Sequence, residues 1–272
     1  MIPRVKIIGG LGNQLFQYFF ARSLSIKFKC NVELDISEFT NYKYDRHDLN
    51  LNHINLKLPL KSNKNYITDL FCNVKRDPNP YCFTSEIFDK KFFRYNGYWQ
   101  SYKYFIDHWA LFIKDFNFEN NFKNLEIFEK ITNTNSVSVH IRRGDYITNI
   151  NSSKVHGNLK LDYYKTAIEY IRNYSSNPIF FFFSDDINWV KNNFSNKNFF
   201  FINNTFDQLK MPLKDLFLMK SCNHNIIANS TFSWWGAWLN ENLNKIVCVP
   251  KYWTLGVKSS ETDLIPSNWN IL

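Results

Sequence analysis

The sequence predicts an α/β protein whose C-terminal half is a doubly wound parallel sheet, and three observations carry that prediction. From residue 136 onward, short apolar runs alternate regularly with helical stretches. The runs "IFFFFS", "NFFFI", "NIIA" and "KIVCVP" are apolar at consecutive positions, as in strands covered on both faces, and "SVSVHI" alternates. Sheets covered on both faces by helices are characteristically parallel. The N-terminus opens in the same style, with a strand, a glycine turn and a helix.

Taken in order, "RVKII" is the first expected strand and "GGLGN" the turn after it. Leu11, Leu15, Tyr18, Phe19 and Leu24 give the apolar stripe of a helix running to about Phe28. "NVELDI" is the second strand, whereas residues 41–80 are polar, rich in Asn and Lys, and without a clear period. "FRYNGYWQSYKYF" at 93–105 reads as a strand followed by a helix, and a polar helical stretch follows at 107–131. In the second half, strand 136–141 leads through a loop to a helix at 161–174 with Asp162 near its start. Helices at 186–194, 213–222 and 230–240 follow the next three strands, and the last strand closes at Pro250. The polar stretch at 131–136 sets the expected boundary. Residues 1–133 form an N-terminal α/β domain, and residues 134–272 form a doubly wound domain of the kind that binds nucleotides.

Composition narrows the function. A chain of 272 residues with 27 Phe, 15 Tyr and 8 Trp has ample material for one large or two modest cores. The net charge is +9, from 33 basic and 24 acidic residues. Split at residue 135, the halves carry 19 − 14 = +5 and 14 − 10 = +4. A basic arm would load one end, so the even spread argues against nucleic acid and favours anionic small molecules or an anionic membrane surface. Five cysteines lack metal-ligand spacing, and Cys222 and Cys248 sit in apolar runs as inert core thiols, which suits a reducing compartment. No apolar signal segment opens the chain and no apolar run is long enough to span a bilayer. The expectation is a cytoplasmic protein, at most peripheral to a membrane.

In parallel α/β sheets, ligands bind beyond the carboxyl ends of the strands. Three distant clusters should meet there: His140, Arg142, Arg143 and Asp145 after the first strand of the second half; Asp185 and Asp186 after "FFFFS"; and "NSTFSWWGAW" after "NIIA". A guanidinium stays charged and presents a planar fork suited to phosphate oxygens. The plainer reading is a surface pair bridging carboxylates, with Asp145 as partner. Asn229, Ser230, Thr231 and Ser233 place amides and hydroxyls at a helix N-terminus, a ready anion site, although an ordinary cap with three packing tryptophans is the commoner case. Asp185 and Asp186 are adjacent on an extended segment and point to opposite faces, so they cannot easily grip one ion; a helix cap is expected, and no metal. Six scattered histidines show no zinc spacing.

The glycine turn is ambiguous. Gly10 and Gly12 match a dinucleotide fingerprint, but Leu15 stands where its third glycine belongs. Glu33 and Asp35 end the next strand, where a ribose-binding acid would lie, so an NAD(P)-dependent oxidoreductase competes on local evidence. A P-loop is excluded because no Lys-Ser/Thr pair follows the glycines. A noncatalytic carbohydrate-binding protein is the other alternative. Asp215 is either an acid favoured by a helix dipole or a partner for the N1–H and N2–H of guanine.

Together, "GGLGNQLFQY", "GYWQSYKYF", "VSVHIRRGDY", "FFFSDDINWVK" and "CNHNIIANSTFSWWGAWLN" resemble the bacterial α-1,2-fucosyltransferases of glycosyltransferase family eleven, over nearly the whole chain and in the family's order. The resemblance implies a GT-B-like architecture of two Rossmann-like α/β domains facing across a cleft, with the acceptor on the N-terminal side. It implies inverting transfer of fucose from GDP-β-L-fucose to O2 of a terminal galactose, on an oligosaccharide or lipid-linked glycan such as an O-antigen. No cofactor and no metal are required under it. Arg142, with Arg143, would contact the donor diphosphate. His140, Asp185, Asp215, Asn229, Ser230, Thr231 and Ser233 would line the nucleotide, and Gly10, Asn13 and Gln14 would approach it from the other domain. Asp145 and His156 are the candidates for the base that takes the acceptor's proton.

Overall fold

Two parallel sheets organise the chain, each belonging to its own unit. The computed structural model describes residues 2–41, 48–62, 73–117, 122–144, 157, 159–202 and 211–272. Residues 1–120 together with 263–266 form the first unit, and residues 121–262 with 267–272 form the second.

The first unit holds β1 (Arg4–Lys6), β2 (Glu33–Asp35), β3 (Leu60–Lys61), β4 (Val74–Arg76) and β5 (Arg94–Asn96). They lie in the order β3-β2-β1-β5-β4, every pairing parallel. Between β1 and β2 runs α1 (Leu11–Lys27), buried on nearly every side as far as Leu24. A helix apolar all round belongs in a core, and Phe20 accordingly stacks on Trp99 at 4.3 Å and Phe19 on Phe112 at 5.7 Å. Short α2 (Ser37–Asn41) follows β2, and α3 (Trp109–Asp115) comes late in the unit. The chain returns at Asp263, whose N–H donates to the Tyr81 carbonyl at 2.8 Å while its carboxylate takes the Phe83 N–H at 2.9 Å and pairs with Lys103.

The second unit opens with α4 (Glu126–Thr132), then β6 (Ser136–Ile141), α5 (Leu161–Tyr174), β7 (Ile179–Ser184), α6 (Ile187–Asn193) and β8 (Phe199–Phe201). After these come α7 (Met211–Lys220), β9 (His224–Ile226), α8 (Thr231–Trp238), β10 (Val247–Val249), an antiparallel hairpin of β11 (Tyr252–Thr254) and β12 (Val257–Lys258), and β13 (Asn270–Ile271). The sheet order is β13-β10-β9-β6-β7-β8, again wholly parallel. All six residues of β6 are buried, and Val137, Val139 and Ile141 pack with Ile168, Ile171, Phe180, Phe182 and Val190.

The expected α/β class with parallel sheets is what the chain has. Several elements differ in detail. The 93–105 segment continues not into a helix but into the 3₁₀ turns Tyr102–Tyr104 and Ile106–His108, because Trp99 adopts a left-handed φ of 54° that breaks the run. The stretch at 107–131 is two short helices, α3 and α4, rather than one. The division between units falls after Asn120 instead of at 133, since Phe122 and Phe128 pack on Phe217 of α7 at 5.7 and 5.3 Å. Beyond Pro250 the chain adds the hairpin and β13, which pairs with β10.

Candidate active site

From β6 the second sheet grows in one direction to β7 and β8, then in the other to β9, β10 and β13. The reversal lies between β6 and β9, and such a switch point opens a crevice at the carboxyl ends of the two strands. His140, Arg142, Arg143 and Gly144 leave β6 there, and Asn229 and Ser230 leave β9 there. The segment after β7 supplies Asp185 and Asp186 beside them.

These groups interlock. Asp185 meets Arg142 Nη1 with one oxygen at 3.0 Å and accepts the Arg143 backbone N–H with the other at 2.9 Å. Only glycine permits this approach at 144, because a Cβ there would stand 2.7 Å from an Asp185 oxygen. Asp186 caps α6 by accepting the Trp189 N–H at 3.1 Å, and its other oxygen receives Arg143 Nε at 3.3 Å. Asp185 thus serves the Arg142 side chain and the Arg143 backbone, while Asp186 serves the Arg143 side chain. Among the described residues the carboxylates that the arginines bridge are Asp185 and Asp186; Asp145 and His156 lie outside the described residues.

His140 lies in the same place, 5 % exposed, with its ring 5.4 Å from Phe232 and its Nδ1 without a hydrogen-bond partner among the described residues. Burial lowers its pKa to about 4, with Arg142 acting in the same direction and Asp185 against it. The ring is thus neutral at pH 7, fit to exchange hydrogen bonds rather than charge. A folded pKa below the unfolded 6.5 contributes stability above pH 6.5 that is lost as pH falls through about 4. Urea unfolding is expected to lose up to about 3 kcal/mol over that window, and His140→Asn to lose less. Parallel pH slopes in the two proteins would contradict the assignment.

At the N-terminus of α8, Ser230 is the cap residue and its side chain makes no capping bond. Thr231 opens the helix, and Asn229 is buried just before it. Ser233 is turned inward: its hydroxyl accepts the Ala228 N–H at 3.2 Å and donates to the Ser230 carbonyl at 3.2 Å, so it braces the turn. Trp234 stacks on Trp238 at 5.0 Å as packing. Gly236 brings α8 against α7, where a Cβ would come 3.0 Å from that of Met219.

On α7, Asp215 has one buried carboxylate oxygen that finds no hydrogen-bond partner among the described residues, and Lys214 Nζ is 3.9 Å from that oxygen. Burial raises its pKa to about 7 although Lys214 opposes the shift. It sits past the first turn of α7, and a helix dipole would lower the pKa instead, so the dipole explanation fails. What remains is a buried carboxylate with one oxygen unpartnered among the described residues.

The first sheet reverses between β1 and β5, and the glycine turn occupies that point. Gly9 has φ 75°, Gly10 caps α1, and Asn13 Oδ1 accepts from Gln100 Nε2 at 2.7 Å. Gln100, within "GYWQSYKYF", carries no local signal in the sequence that marks it as Asn13's partner. Gln14 is spent on structure: it donates to the Gly9 and Asp48 carbonyls and accepts the Asn50 N–H. Leu15 is fully buried, and Asp35 is taken by Arg94 at 3.2 Å and by the Ser37 N–H. Glu33 pairs with Arg4 at 2.7 Å. The acids that a ribose would need are thus already engaged, which removes the main support for a dinucleotide-binding reading.

Among the described residues no group of three or more His, Cys, Asp or Glu is disposed to hold a metal, and no helix is long and apolar enough to cross a membrane.

Comparison with known proteins fits this geometry. The model of glycosyl transferase family 11 matches residues 4–272. The O-antigen biosynthesis glycosyltransferase WbnK of Escherichia coli is 36 % identical over 298 aligned residues, covering 96 % of this chain and 97 % of that protein. An alpha-1,2-colitosyltransferase of Escherichia coli is 32 % identical over 282 residues, covering 97 % and 96 %. Among solved structures, fucosyltransferase NodZ from Bradyrhizobium aligns with a TM-score of 0.49 at 13 % identity over 87 % of this chain and 93 % of that one, too distant a likeness to carry weight. The resemblance seen in the five motifs holds over the whole chain: the protein belongs to glycosyl transferase family 11.

Proposed function

We propose that the protein moves L-fucose from GDP-β-L-fucose to O2 of a terminal galactose, with inversion, on a bacterial surface glycan. The observation that carries this reading is the pair of arginines fixed at the switch point of the second sheet. Breaking the bond between fucose and phosphate leaves charge on GDP and an oxocarbenium-like sugar. Cations and amide dipoles already oriented before the bond breaks stabilise that charge without rearrangement. The Asp185 and Asp186 carboxylates are each engaged by an arginine, so the guanidiniums and the N-terminus of α8 are the groups assigned to the diphosphate. Asp215, one of whose buried carboxylate oxygens has no hydrogen-bond partner among the described residues, suits the N1–H and N2–H of guanine. The acceptor hydroxyl must lose a proton, and Asp145 and His156 are the groups proposed to take it. A lipid-linked acceptor would bring the enzyme to the cytoplasmic face of a membrane.

A second donor has support from the relative named as an alpha-1,2-colitosyltransferase. Colitose is fucose without its 3-hydroxyl, so the same diphosphate site would serve either sugar. GDP release should be measured with GDP-fucose and GDP-colitose against a panel of β-galactosides in EDTA, with linkage analysis of the product. An α-1,2-fucosylated galactoside is expected, with turnover surviving the chelator. Turnover only with GDP-colitose would reassign the donor, another linkage would reassign the acceptor position, and loss restored by Mn²⁺ would refute metal independence.

A further inference from the structure

Trp189, in the first turn of α6, touches the site at two points. It packs against the core cluster of the second unit, and the guanidinium carbon of Arg143 lies 3.6 Å from the centre of its ring. The Trp189 backbone N–H is also the one that Asp186 caps, at 3.1 Å, and Asp186 holds Arg143 Nε at 3.3 Å. The first turn of α6 thus grips the Arg143 guanidinium from two sides, by the face on an indole and by one edge on a carboxylate.

This grip leaves the other edge available. Among the described residues, the two terminal amino groups of Arg143 have no hydrogen-bond partner, in contrast to Arg142, whose Nη1 is engaged by Asp185. A guanidinium presents its donors as a planar fork, and stacking on a ring removes the rotamer freedom that would otherwise be lost on binding. We propose that Trp189 is a positioning residue of the donor site, whose indole holds Arg143 so that its two terminal amino groups meet the diphosphate as a preset fork. This rests on the reading of the site as a nucleoside-diphosphate site, and it divides the labour: Arg142 is held by Asp185, Arg143 by Trp189 and Asp186.

The test is a binding cycle with GDP as probe, read by calorimetry on the full chain. The proteins are the wild type, Trp189→Leu, Trp189→Phe, Arg143→Ala, and the double variant Trp189→Leu/Arg143→Ala. Leucine keeps apolar contact with the core but offers no ring, while phenylalanine restores a ring face. Trp189→Leu is expected to weaken GDP binding about five- to tenfold, and Trp189→Phe about twofold. In the Arg143→Ala background, the leucine substitution is expected to add no further loss, which a merely structural tryptophan would not reproduce. Equal and additive losses in the two backgrounds, or unchanged affinity in soluble Trp189→Leu, would overturn the role of Trp189 while leaving the donor site standing. A wild type that does not bind GDP would overturn both together.

Discussion

Arg142→Ala is expected to lower kcat/KM for donor turnover by about 10³-fold or more, with the fold retained. Two losses coincide. The variant removes a fixed cation from the point where the diphosphate gains charge. It also uncovers Asp185, whose oxygen now lies 3.0 Å from Arg142 Nη1 and would afterwards face the phosphates as an unpaired anion. Charges about 4 Å apart interact by roughly 1 kcal/mol in water and 4 kcal/mol near a protein surface, and the part-exposed carboxylate lies toward the lower figure, a penalty of about tenfold. Arg142→Ala/Asp185→Asn should accordingly recover about tenfold of the rate. Arg142→Lys should fall between wild type and alanine, since it keeps the charge and loses the fork. The fold should survive because Arg142 follows β6, and its side chain is 30 % exposed. Steady-state kinetics on variants with unchanged melting curves will check this; a folded Arg142→Ala enzyme within threefold of wild type would contradict it.

Asp215→Ala is expected to weaken GDP binding by about 30- to 100-fold at pH 8. A carboxylate that receives both N1–H and N2–H of guanine makes charge-assisted bonds, and burial makes their loss costly. The wild type carries its own signature of this contact. Burial pushes the Asp215 carboxyl up to about 7 in the free protein, and only the ionised form accepts both guanine donors. Affinity should therefore rise with pH up to about 7 and then level off, falling by about tenfold for each unit of pH below it. Asp215→Asn should flatten the profile, and inosine diphosphate, which lacks the N2 amino group, should bind more weakly than GDP. An unaltered affinity in Asp215→Ala would remove the residue from the site.

Legibility from sequence followed the range of the interactions. β6 and α5 could be read directly, because a run such as "SVSVHI" and the apolar period of 161–174 are local signals. The placement of His140, Arg142 and Arg143 at a strand end followed from β6 alone. What held them did not: Asp185 and Asp186 meet the arginines across 42 or 43 positions of chain, and adjacency in sequence suggested only a cap. Gln100 reaches Asn13 across 87 positions, and no period or spacing announces such a pair. β13 is two residues long, too short to leave a pattern, and exists through its pairing with β10. Ser233 looked like a ligand group because its neighbours are polar, but its hydroxyl closes the β9–α8 turn.

The most direct measurement is the affinity difference between GDP and guanosine, by calorimetry, in the wild type and in Arg142→Ala/Arg143→Ala. If these guanidiniums hold the diphosphate, the wild type should favour GDP by about 10³-fold, and the double variant should lose nearly all of that preference while still binding guanosine as before. A folded double variant that keeps the wild-type preference for GDP would show that the diphosphate is held elsewhere.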